Sequence, residues 1–466
     1  MTPLRVVRAV SWLPWGAAPF ARARDEGKCV LLAIAAPWSA ACRAMDERCY
    51  SDADIVAEIN RWFVPVRVDA DRRPDLVDRY ELGGLPTTAF LDADGQILGG
   101  GTFVPPERFL DVLRLARQPL SPVFRGGGAG APSFVESSVP VPSTDEDLTT
   151  LVFSSFDSVH GGFGGAPKFP LVAPVRLALD LFRETGDPVM SGYVSRTLDA
   201  MAWGGLYDEE EGGFSRCAAH ADWSDPQREK LLGVNASLLD LYLEAGVTLG
   251  NERWLARAAD TIAFVQRDLS LAPEHGWRVS VASDAHWLSD ANAVMVSASL
   301  HASRVFEDHS LRELALQALE AVLLATYKPG GGVAHCRGGI RGWLSDHVAM
   351  IAAHLDAWEL TGDVVYQMMA EELAQFVVRT MAFPDGGFAD RAPGEGEDFH
   401  GLLRRPLKPF IVNCDAAHAL HRLSRATGDR KWHEHARRAV EAVEPLAAAQ
   451  GPLAAHFLIA RRSLSR

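Results

Sequence analysis

Six side chains able to exchange protons stand beside glycine-rich loops or open predicted helices: Asp208, Asp222, Glu229, Asp346, His347 and Asp415. Carboxyl groups so placed permit two kinds of chemistry. Glycoside hydrolysis needs a pair of them on opposite sides of the scissile bond; epimerisation needs an acid and a base across one carbon. Glu229-Lys230 heads the set because it directly precedes a predicted helix, though a salt bridge holding a loop uses the same residue types. Asp346 follows Trp343-Leu344-Ser345 and could instead cap its helix together with Ser345. Asp208 begins an acidic run of the kind that usually faces water. Lys168, fixed between Pro167 and Pro170, could reach a pocket or pair with a carboxylate of the next hairpin. Trp203, Tyr207, Trp223 and Trp343 are rings that could stack on a sugar or fill a core, and Phe163 is a further substrate-binding candidate.

Thiol and metal chemistry have less to work with. The six cysteines, Cys29, Cys42, Cys49, Cys217, Cys336 and Cys414, include no Cys-x-x-Cys pair. Ser39 stands three residues before Cys42, and a serine hydroxyl cannot form a mixed disulfide. His418 and His421 share a helix face, but no carboxylate or cysteine completes a set, so no metal is expected. The glycines from Gly161 to Gly165 lack the Lys-Ser/Thr of a phosphate loop, and no other cofactor is implied.

These residues need elements to hold them. At 466 residues the chain exceeds one ordinary core. A net charge of -14 argues against a nucleic-acid partner but is compatible with a small polar ligand. No apolar run is long enough to span a bilayer, and Met1 to Trp12 lacks the blocks of a signal peptide, so no membrane partner and a cytoplasmic location are expected. Residues 1–118 read as an α/β module: a helix over 15–26, a wholly apolar strand over 29–36, a helix start at Ser39, and strands over 64–68, 87–91 and 96–101. A helix over 106–117 closes the module. Glycine and proline crowd residues 119–145, which reads as a linker.

Residues 146–466 repeat one unit. A helix ends at glycine, an Asp or Asn caps the next, and a second amphipathic helix follows. The capping positions 187, 251, 308, 363 and 429 are spaced 64, 57, 55 and 66 residues apart. Lone helices near 147–157 and 452–464 can pair with each other, which makes six hairpins and closes an (α/α)6 toroid. Between hairpins lie Gly161-Gly-Phe163, Gly204-Gly-Leu-Tyr-Asp208, Gly212-Gly-Phe214, Gly330-Gly-Gly332 and Gly386-Gly-Phe388, expected both to line the toroid's central mouth and to pack.

The helix start at Trp38-Ser-Ala-Ala-Cys42 and the later Leu85-Pro86-Thr87 turn resemble thioredoxin, a likeness that implies a cis Pro86 facing the redox motif. Ser39, Cys42 and Pro86 are then what remains of that motif. The chain as a whole resembles the spermatogenesis-associated protein 20-like family, a thioredoxin-like domain joined to a six-hairpin toroid. The resemblance rests on Trp15-Gly16, Val66 to Asp69 with Arg73-Pro-Asp75, Gly161 to Pro170, and Gly205 to Asn235. It implies roles for Glu229, Lys230 and Asn235. The chain departs from the pattern at Ser39-Ala-Ala-Cys-Arg43 and at Val234, and it is shortened between the third and fourth hairpins. By analogy of fold with sugar-processing toroids, the mouth is expected to bind or process a sugar-like molecule by epimerase- or glycosidase-like chemistry. Two other readings stay open: a non-catalytic interaction protein with a partner at the thioredoxin-like domain, and a thiol protein working through Cys42.

Overall fold

The computed structural model describes residues 9–117, 144–271, 275–283, 287–393 and 399–465. Almost all of the expected linker lies outside them. The chain divides into two compact units, Met1–Ser138 with Pro393–Pro406, and Val139–Ala392 with Leu407–Arg466.

The first unit is built on β1 (Cys29–Ala35), whose five central residues are all buried. A strand with no polar face must be covered on both sides. It pairs in parallel with β2 (Phe63–Asp69) and antiparallel with β3 (Thr87–Leu91), and β4 (Ile97–Gly101) completes the order β2-β1-β3-β4. Five helices accompany the sheet: α1 (Ala17–Glu26), α2 (Ala40–Arg48), α3 (Ala53–Trp62), α4 (Pro74–Tyr80) and α5 (Pro106–Ala116). The sequence reading did not include α3 and α4. Asp52 nevertheless caps α3 through the Asp54 and Ile55 amides, a signal that was open to view. The segment Pro393–Pro406 joins this unit through Tyr80, whose hydroxyl donates to the Gly95 carbonyl and accepts from the Leu402 amide.

The second unit is the toroid. Its helices are α6 (Asp145–Ser154), α7 (Val172–Thr185), α8 (Pro188–Trp203), α9 (Leu232–Leu249), α10 (Glu252–Phe264), α11 (Ser289–Val305), α12 (His309–Thr326), α13 (Leu344–Thr361), α14 (Val364–Met381), α15 (Phe410–Thr427), α16 (Arg430–Val443) and α17 (Ala455–Leu464). The inner ring runs α7, α9, α11, α13, α15, α17, each packed on the next, and α17 returns to touch α7. Helices α6 and α17 pair, so the ring closes on its two ends. At the short turns Gly186, Gly250, Gly362 and Gly428 end helices in the left-handed conformation. Asp187, Asn251, Asp363 and Asp429 then cap the next helices, each cap contributing about 1 kcal/mol. No helix among the described residues is long and apolar enough to cross a membrane.

Candidate functional site

Every long connection of the toroid leads into the N-terminal end of an inner helix, so these ends and their loops form the mouth. Asp208 and Lys230 meet there, as a clasp. Lys230 Nζ lies 2.8 Å from Asp208 Oδ2 and 3.1 Å from Glu211 Oε2, while Asp208 Oδ1 accepts from the Glu210 and Glu211 amides. Burial works against the Asp208 charge, but the Glu211 amide and the Lys230 ammonium outweigh it and hold the carboxyl below its ordinary value. The same device occurs one connection earlier. Asp157 accepts from the Val159 and His160 amides, and the completely buried Lys168 reaches it at 2.6 Å. Lys168 therefore pairs within its own loop rather than with the next hairpin. A third copy joins Lys408 to Asp385 at 3.2 Å.

The glycine-aromatic turns serve the core. Asn235 Oδ1 accepts from the Phe214 amide at 2.7 Å, and its Nδ2 donates to the Phe214 and Leu231 carbonyls at 3.0 Å. Asn292 holds Trp277 and Asn413 holds Phe388 in the same way. Gly213 must be glycine here: its φ is +81°, and a Cβ would sit 2.5 Å from the Phe264 ring. These contacts give four residues expected at a substrate a packing role. Asn235 spends its amide on Phe214, Phe163 packs on Phe153 and Phe156, Tyr207 lies between Phe214 and Arg257, and Trp223 donates to the His160 carbonyl. Glu229 is half-buried just before α9, its carbonyl accepting from the Arg216 amide.

The entry to α13 differs. Trp343 is the cap residue of α13, with no side-chain cap bond, and Asp346 does not pair with Ser345 as expected. Instead Asp346 Oδ1 receives His335 Nδ1 at 2.8 Å and the Asp290 amide at 3.2 Å. Asp346 is completely buried, and its Oδ2 has no partner among the described residues. Burial pushes its carboxyl up to about 6 against the pull of His335, and the Asp290 charge adds to the rise. The Trp343 ring centroid lies 4.4 Å from that of His335, and the buried Trp343 Nε1–H also lacks a partner among the described residues. His335 sits on a pinned hairpin, its amide donating to Ile340 and its carbonyl accepting from Ser289. Among the described residues Asp290, His335 and Asp346 form the one group of three that could hold a metal ion. Sequence reasoning passed over His335, eleven residues before Asp346, and Asp290, the second residue of α11. His421, considered for metal, faces His433 instead, Nδ1 to Nδ1 at 3.2 Å. A hollow of about 250 Å³ near Ser303, Glu307 and Arg312 lies at the short-turn end, away from this chemistry.

In the first unit the Leu85-Pro86 bond is cis. Ser39 caps α2 by accepting from the Cys42 amide at 3.3 Å. Cys42 is 2 % exposed, and burial pushes its thiol up despite the Ser39 contact. That placement does not suit the thiol reading.

Residues 5–118 match the family Thioredox_DsbH, described as a protein of unknown function, DUF255. Mouse spermatogenesis-associated protein 20 is 28% identical over 293 residues, 56% of this chain and 37% of that protein. An uncharacterised Caenorhabditis elegans protein is 27% identical over 262 residues, 50% of this chain and 36% of its own length. The chain thus matches little more than a third of the length of these relatives. Among solved structures, cellobiose 2-epimerase from Spirochaeta thermophila superposes with a TM-score of 0.56 at 13% identity, covering 69% of this chain and 96% of that one. The GH76 alpha-mannanase of Bacteroides thetaiotaomicron does so with a TM-score of 0.53 at 10% identity, covering 69% and 94%. At such identities the likeness is one of fold. The chain is a thioredoxin-like domain with an (α/α)6 toroid, similar over half its length to spermatogenesis-associated protein 20.

Proposed function

We propose that the toroid mouth binds and processes a small polyhydroxylated, sugar-like molecule at the entry to α13. One observation carries the reading: a buried acceptor, Asp346 Oδ2, and a buried donor, Trp343 Nε1–H, both flank His335 and both lack partners among the described residues. A hydroxyl group donates and accepts, so one ligand type answers both needs. Leaving such groups unsatisfied costs about 1–3 kcal/mol each. The indole adds a face on which a sugar ring can lie. Carboxylate and imidazole side by side are groups suited to epimerase-like chemistry, and Glu229 remains the further carboxylate that a glycosidase-like reaction would draw on. The fold neighbours include a sugar epimerase and a mannanase, which agrees with this ligand class.

The test is a thermal-shift screen of the full chain with glucose, mannose and cellobiose, run beside Asp346→Asn and Glu229→Gln. A melting point raised by a sugar in the wild type and unmoved in Asp346→Asn supports the proposal. A second reading, a non-catalytic interaction protein with a partner at the thioredoxin-like domain, draws on the clasped state of Asp208 and Lys230. A screen in which no sugar moves the melting point selects it.

A further inference from the structure

We propose that Asp290, His335 and Asp346 bind a divalent transition-metal ion, Zn2+ or Mn2+, at the mouth ends of α11 and α13. The ligating atoms of the three residues all lie within 4.8 Å of one another. An ion about 2.1 Å from each donor holds its ligands within about 4 Å of each other, so little side-chain adjustment is needed. Asp346 is completely buried and His335 is 2 % exposed, while Asp290 is half-buried at the rim.

The donor set fits such an ion on charge, type and number. Two carboxylates brought together in a buried place repel, and a divalent cation cancels their charge. Imidazole favours zinc and carboxylates accept manganese, so one nitrogen with two oxygens suits either. Three protein donors leave a position open, as sites that present a metal to a substrate do.

Asp346 Oδ2, buried and without a partner among the described residues, is the independent sign of a ligand, since neither the His335 contact nor the Asp290 amide uses it. On binding, the ion displaces the proton between His335 Nδ1 and Asp346 Oδ1, which leaves to solvent. The surrounding bonds already fix the donors: Ser289 Oγ donates to the Ala334 carbonyl at 2.6 Å, and the Ser289 amide to that of His335 at 2.8 Å. Such outer contacts orient ligands before the ion arrives.

The inference does not depend on the sugar reading, because the ion is held by this chain's own side chains. The full chain, stripped with EDTA and dialysed, is titrated with ZnCl2 and with MnCl2 by calorimetry, and the bound metal is counted by mass spectrometry. One equivalent per chain is expected, with affinity about tenfold or more weaker in Asp346→Asn and Asp290→Asn. Circular dichroism checks each fold, and Asp290→Asn at the rim decides alone if Asp346→Asn is misfolded. No stoichiometric ion in the wild type, or undiminished affinity in the folded variants, overturns the site. A bound ion without any sugar-induced shift keeps this inference and removes the sugar reading. A sugar-induced shift in protein that binds neither metal does the reverse.

Discussion

The entries to α9 and α13 occupy equivalent places in the toroid and handle buried charge in opposite ways. At α9 the Lys230 ammonium has Asp208 and Glu211, and the Asn235 amide has Phe214. At α13 the asparagine's place, four residues beyond the helix cap, is taken by His347, which accepts from the Val333 amide through Nε2 at 3.1 Å. The carboxylate beside it, Asp346, keeps one buried oxygen without a partner among the described residues. A protein has no folding reason to maintain that arrangement, since an idle buried acceptor only costs stability. The contrast separates residues that hold the mouth together from residues left available to a ligand.

The comparison can be broken most forcefully at the clasps. Lys168→Met should destabilise the toroid by about 3 kcal/mol or more, because it leaves the Asp157 carboxylate without its buried cation. An unchanged melting curve by circular dichroism would show that the clasp is ornamental. Asn235→Leu comes next, at about 2–3 kcal/mol, since the Phe214 amide and carbonyl both lose their partner. Urea unfolding measures it, and Asn413→Leu should give a similar loss at the equivalent place. A loss at one site and none at the other would deny that the anchors are equivalent.

Much of this scaffold was legible in the sequence. The Gly-Asp turns marked the hairpins because left-handed helix ends select glycine and the next helix needs a cap. Cys29 to Ala35 announced a central strand by being apolar throughout. The site was legible in part. Asp208, Lys230 and Asp346 were found by type and position, but whether a charge is paired depends on a partner across a loop. Lys230 lies 22 residues from Asp208, and no local pattern couples them. The Asp290–His335–Asp346 group brings together the ends of two connections, those into α11 and α13, which the packing of these neighbouring helices produces. The anchoring asparagines, by contrast, could have been found: Asn235, Asn292 and Asn413 each stand four residues after a helix cap and follow a glycine-aromatic pair.

The smaller effects sharpen the contrast by their sign. Asp346→Asn keeps an oxygen for His335 and the Asp290 amide while removing a buried charge. It should leave the melting point unchanged or raise it, by up to about 1 kcal/mol, the reverse of Lys168→Met. A clear drop would mean that Asp346 is structural after all.

The slightest effect is a pH dependence at the α9 clasp. The folded Asp208 carboxyl titrates below its unfolded value, so between those two values the unfolded chain binds the extra proton. Its contribution is complete above about pH 4, near the unfolded value, and fades as the pH falls through the folded one. Asp208→Asn should therefore lose less stability than the wild type on going from pH 5 to pH 3, in urea titrations run at each pH. Parallel losses in the two proteins would mean that the ammonium of Lys230 does not hold the loop, and α9 would no longer stand as the paired counterpart of α13.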